Sequence, residues 1–146
     1  MMRKIFLACV LGIFALYGAG ILNEDNAVSV ESEEILPQKA EYKIVQIVIN
    51  GKVTQATEGA IFGVDDTKIY GNTGCNSYFT DFKRVDSENI EVSTNGGATK
   101  MMCDRDSMAF ESAFLQNLVG RFSITKSGDK ISLTSDKMQV VLEESK

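Results

Sequence analysis

Histidine is absent from this chain of 146 residues, proline occurs once, and there are only three cysteines. Without histidine there is no Ser-His-Asp or Cys-His arrangement, no usual general base, no commonest metal ligand and no near-neutral pH switch. A phosphate-cradling loop is also missing, because Asn95-Gly96-Gly97 lacks the Gly-Lys-Ser/Thr ending such a loop requires. Asp65-Asp66 and Asp86-Ser87-Glu88 read as turn acids, since the spaced ligands and terminal glutamate of a calcium loop are not there. Repeats and low-complexity tracts are missing too. Basic residues are few: the net charge is −5, and setting aside Arg3 and Lys4, the only charges of residues 1–20, takes it to about −7. Such a surface repels phosphate backbones and anionic headgroups, so nucleic acid is not expected as a partner.

What is present fits one globular domain behind an N-terminal address. Apolar residues make up 44% and charged residues 24%, ordinary values for a folded chain. Met1-Met2-Arg3-Lys4 is a positive n-region, and Ile5–Ala19 is an apolar run of 15 residues, short for a spanning helix and suited to a signal segment. Residues 1–20 are therefore expected to be a signal peptide, with cleavage after Gly20, or a membrane anchor through residues 5–19. The expected location is the periplasm or cell envelope. Only four residues separate Lys4 from Cys9, too few for an h-region, so Cys9 reads as a small hydrophobe inside the segment, with a lipid-modified Cys9 as the alternative. Residues 21–40, acidic and holding Pro37, read as a solvated spacer whose apolar islands (Val28, Val30, Ile35-Leu36) can pair at an edge.

From Tyr42 the pattern is β. Tyr42–Ile49 is rich in β-branched residues and ends at the turn signal Asn50-Gly51, with a short return from Val53. Ala60–Val64 and Lys68–Gly71 predict a hairpin, Tyr78–Lys83 a half-buried strand, and Ile90–Val92 a short strand before a turn at Asn95-Gly96-Gly97. A helix is predicted over 104–119, capped by Asp104 or Asp106 and closed by a left-handed Gly120. Its apolar face is Met108, Phe110, Ala113, Phe114, Leu115, Leu118 and Val119; Glu111, Gln116 and Asn117 take the other side. Three strand-like runs follow, Phe122–Thr125, Lys130–Thr134 and Met138–Leu142. The fold class expected is α+β, mainly β: a curved or barrel-like antiparallel sheet of about 7–9 short strands packed on one helix.

Gly71-x-x-Gly74-Cys75-Asn76-x-Tyr78, Ala98-Thr99-Lys100-Met101-Met102-Cys103 and Glu111-x-x-Phe114-x-x-x-Leu118 together resemble the META domain of HslJ-type heat-inducible envelope proteins. The resemblance covers about residues 41–143 and implies a domain of residues 41–146. It departs at Tyr42, where relatives often carry tryptophan, at Thr80 or Asp81, where a glycine is frequent, and in having no convincing lipobox. It implies a β-rich fold with one helix, an envelope location and links to heat or drug tolerance, with no established enzymatic activity and no cofactor.

Cys75 and Cys103 are readable as a structural disulfide, a redox pair or two buried thiols. Export favours the disulfide, and a spacing of 28 positions is no C-x-x-C. Gly74 and Asn76 read as turn residues, with the Asn76 side chain satisfying local backbone groups. Thr99 belongs to the same motif. Lys100 reads as a snorkelling strand lysine and Met101-Met102 as alternating faces, one filling the core. The favoured function is a non-enzymatic envelope domain that contacts other, unidentified envelope proteins. The alternative is a small apolar ligand in the barrel mouth, lined by Tyr70, Tyr78, Phe79 and Phe82. No metal site and no oligomeric state are implied.

Overall fold

The computed structural model describes residues 35–145. The expected signal segment, Cys9 and the spacer up to Glu34 lie outside the described residues. The described residues hold nine strands: β1 (Ala40–Ile49), β2 (Lys52–Gln55), β3 (Ile61–Val64), β4 (Lys68–Asn72), β5 (Ser77–Asp86), β6 (Asn89–Ala98), β7 (Gly120–Ser127), β8 (Lys130–Thr134) and β9 (Gln139–Glu144). One helix among them, α1 (Arg105–Asn117), connects β6 to β7.

All pairings are antiparallel, in the order β2-β1-β3-β4-β5-β6-β7-β8-β9, and β1 also pairs with β9. Eight strands thereby close into a barrel, with β2 as an extra strand on the second half of β1. The halves of β1 have different neighbours: Ala40–Lys43 pair with β3 and Gln46–Ile49 with β2. The change is made at a bulge between Ile44 and Gln46. The extra residue shifts the alternation by one, so Tyr42, Ile44 and Ile47 all face inward, Ile44 opposite Leu142 and Ile47 opposite Val140.

The barrel interior is filled by side chains. Phe62, Phe110, Phe114 and Phe122 are among the largest fully buried ones, packed with Ile44, Ile69, Ile90, Ile131 and Leu133. The helix runs Arg105–Asn117 rather than 104–119. Asp104 is its N-cap, accepting from Ser107 N at 3.0 Å, and Leu118 is its C-cap. Gly120 has φ +90° but opens β7 opposite Val92, two residues past the cap.

Two expectations are corrected. Asn95-Gly96-Gly97 lies within β6: Gly96 pairs with Thr80 and Gly97 with Phe79. The glycines serve a close approach instead of a turn, since a Cβ on Gly96 would stand 2.5 Å from the Phe79 carbonyl oxygen. At the other end, Leu36 is no spacer residue. It is buried in the core, and Arg84 holds this stretch by donating to the Leu36 and Pro37 carbonyls.

Candidate functional site

The motif residues meet where the β4–β5 loop faces the coil Thr99–Asp104 in front of α1. The loop is a tight turn organised by Thr73, whose Oγ1 accepts from the N–H groups of Cys75 and Asn76 at 3.3 and 3.1 Å. Gly74 takes φ +91°, a conformation that glycine adopts freely, and its N–H donates to Asn72 Oδ1 at 2.6 Å. The turn sets Cys75 and Asn76 against the coil, and a disulfide joins Cys75 to Cys103.

Asn76 is 1% exposed, and its amide serves both the coil and the helix. Its Oδ1 accepts from Met101 N at 2.7 Å and from Thr99 Oγ1 at 2.9 Å. Its Nδ2 donates to Met101 O at 3.3 Å and to Glu111 Oε2 at 2.9 Å. The other oxygen of Glu111 accepts from the Thr73 hydroxyl at 2.6 Å. Thr99 completes the junction, its N–H donating to Ser77 O and its Oγ1 accepting from Ser77 N. The backbone and oxygen groups that the Asn76 side chain satisfies therefore lie 23, 25 and 35 positions away, not in its own turn. Glu111, placed by periodicity on the solvent side of the helix, faces this junction.

This arrangement is a clamp. Both carboxylate oxygens of Glu111 are occupied by donors, and a buried polar network satisfied in this way fixes geometry instead of supplying a free base. The Tyr78 hydroxyl donates to Ile61 O at 2.9 Å, and burial holds it well above the ordinary tyrosine range, so it offers no acid. Its ring meets Phe114 edge-on at 5.3 Å. Hydrogen bonds from the Ser107 hydroxyl and N–H hold Asp104 below the usual carboxylate range. Among the described residues no three His, Cys, Asp or Glu side chains converge as a metal site, and no helix is long and apolar enough to cross a membrane.

The Met101-Met102 expectation is overturned: both are exposed, at 60% and 84%. They and Lys100 lie in irregular coil, not in a strand, so no alternation drives one of them inward. The four candidate ligand-lining aromatics do not share a face either. Tyr78 and Phe82 are buried inside, whereas Tyr70 and Phe79 stand opposite each other on the outer face, Phe79 half exposed. A groove of about 600 Å³ opens between β6 and the end of α1; of the four aromatics Tyr78 and Phe79 line it, with Gly97, Lys100, Leu115 and Val119 among others.

A family model, that of the META domain, matches residues 35–146. The chain belongs to the META domain family. The matched span begins beside Leu36, in keeping with the burial of that residue in the META domain core. Among solved structures, an NMR structure of a protein from Burkholderia xenovorans is similar at TM-score 0.58 and 18% identity, over 80% of this chain and 96% of that one. A second NMR structure is similar at TM-score 0.57 and 14% identity, over 79% and 96%. At these identities the likeness concerns the META domain fold alone. A comparison with curated proteins found none that matches.

Proposed function

We propose that this META domain is a non-enzymatic module of the bacterial envelope that supports tolerance of heat or drugs through contacts with other envelope proteins. One observation carries the reading: Met101 and Met102 project into solvent from a coil pinned by the Cys75–Cys103 disulfide and by both backbone bonds of Met101 to Asn76. Exposed apolar side chains on a fixed support bind with little further ordering, and methionine adapts to varied partner surfaces. An exported location agrees with the disulfide and with the charge pattern of residues 1–20. The missing histidine supports a role without catalysis.

A small apolar ligand is the second reading, favoured by the closed eight-stranded barrel. With the interior occupied by phenylalanines, such a ligand belongs in the groove between β6 and α1, which Tyr78 and Phe79 line, instead of inside the barrel. A photo-crosslinking residue at Met102, in cells making the full chain, separates the two. The expected result is discrete crosslinks to envelope proteins, absent when the same probe stands at Asp136, together with heat or drug sensitivity of Met101→Lys/Met102→Lys. Loss of crosslinks at Met102, with a small apolar molecule retained in native mass spectrometry, overturns the protein-contact reading.

A further inference from the structure

We infer that the groove between β6 and α1 receives an extended segment of another protein, which adds as a strand to the open edge of β6 and sets an acidic side chain against Lys100. The inference rests on the protein-contact reading and gives it a place and a partner chemistry.

β6 has a strand on both edges only along its first part. Asn89–Val92 pair with β7, which joins at Gly120. Gly96–Ala98 have β5 on one side and no strand on the other among the described residues, because the chain that follows β6 becomes coil and helix before β7 begins. Residues of an antiparallel ladder point their N–H and C=O alternately to one neighbour and then to the other. The register runs Tyr78↔Ala98, Phe79↔Gly97 and Thr80↔Gly96, and next along it Thr99 N donates to Ser77 O at 3.0 Å. Thr99 and Gly97 therefore turn their backbone groups to β5, and Gly96 and Ala98 turn theirs to the groove. Two donors and two acceptors at alternate residues are what an added strand engages.

The surroundings fit that occupant. Open edges in natural sheets are commonly blocked by proline, charge or a covering element. Here Gly96 and Gly97 are exposed and have no side chains to stand in the way. The facing wall holds Leu115, Leu118 and Val119, apolar contacts for every second side chain of a docked strand. Lys100, at one end, is the only charged residue lining the groove among the described residues, in a chain of net charge −5. The acid of the occupant belongs there, beside the one charge of the groove lining.

Random peptides displayed on phage, selected against the oxidised full chain, supply the probe. The enriched peptides are then titrated into isotopically labelled protein. Support consists of peptides with alternating apolar residues and an acid, slowed hydrogen exchange at the Gly96 and Ala98 amides, and an affinity about tenfold lower for Lys100→Glu. Ala98→Pro, which removes one groove-facing N–H and none that faces β5, lowers affinity to a similar degree. Lys100 is exposed in coil, so its variant keeps the test readable if the proline variant fails to fold. No enrichment, unchanged exchange at the two amides, or undiminished binding to Lys100→Glu overturns the inference. Crosslinks at Met102 persisting under any of these results would leave the protein-contact reading standing while this site falls.

Discussion

Asn76 has the largest share of the junction per atom. Its Nδ2 stands 2.9 Å from Glu111 Oε2, so Asn76→Asp replaces a donor with an oxygen facing a carboxylate. Two carboxyl groups at that distance resist joint ionisation, and Met101 O loses its donor as well. We expect a loss of about 3 kcal/mol at neutral pH by urea unfolding, comparable to leaving one buried charge unpaired. Glu111→Gln in the same background should recover part of it, because an amide then faces the introduced carboxylate as a donor. Losses that simply add, with Glu111→Gln alone measured beside the single and double variants, would show that the two side chains are not coupled. None of this was legible in the sequence. An asparagine after Gly-Cys has the local signature of a turn residue, and periodicity along α1 places Glu111 with Gln116 and Asn117. Polar contacts across 25 or 35 positions leave no local trace.

At the scale of elements, the coil Thr99–Asp104 is attached by one covalent link and a set of hydrogen bonds. Opening the Cys75–Cys103 bridge frees a loop of 28 positions, which in the chain-entropy account costs about 3–4 kcal/mol. Cys75→Ser/Cys103→Ser should therefore melt roughly 10–20 °C below the oxidised chain. The Met101 amide should stay protected from hydrogen exchange in that variant, because Asn76 Oδ1 still accepts from it. Loss of that protection would mean that the disulfide alone holds the coil. The strands were largely legible: alternation in Tyr78–Lys83, the Asn50-Gly51 turn and the hairpin around Asp65-Asp66 all lie where the pattern puts them. The second half of β6 was not, because Asn-Gly-Gly has the composition of a turn, while its purpose is backbone proximity to β5. The exposed methionines were misread for the related reason that alternation was assumed for a stretch which is coil. Leu36 was grouped with its acidic neighbours, and only the three-dimensional core shows where it goes.

The whole molecule is acidic, with a sequence pI near 4.8, and three of its surface carboxylates are held below the ordinary aspartate range. Backbone N–H groups of Thr67 and Lys68 hold Asp65 below the ordinary value of 3.8. The Glu88 N–H and Asn89 do the same for Asp86, and Ser107 for Asp104. Each is lower in the folded state, so its contribution is complete above the unfolded value of 3.8 and is lost as pH falls through the lower folded value. Urea midpoints should hold steady from pH 7 to about pH 5 and drop below about pH 4. Asp104→Asn, which still caps the helix, should flatten part of that drop; an unchanged slope would assign the acid sensitivity elsewhere. The barrel seam has another consequence. Tyr42 on β1 pairs with Glu144 on β9, about 100 positions away, whereas the other edge of β1 is held by its near neighbours β2 and β3. Long-separation pairings close slowly, so this seam should be the last part of the barrel to gain protection in a refolding experiment followed by pulsed hydrogen exchange.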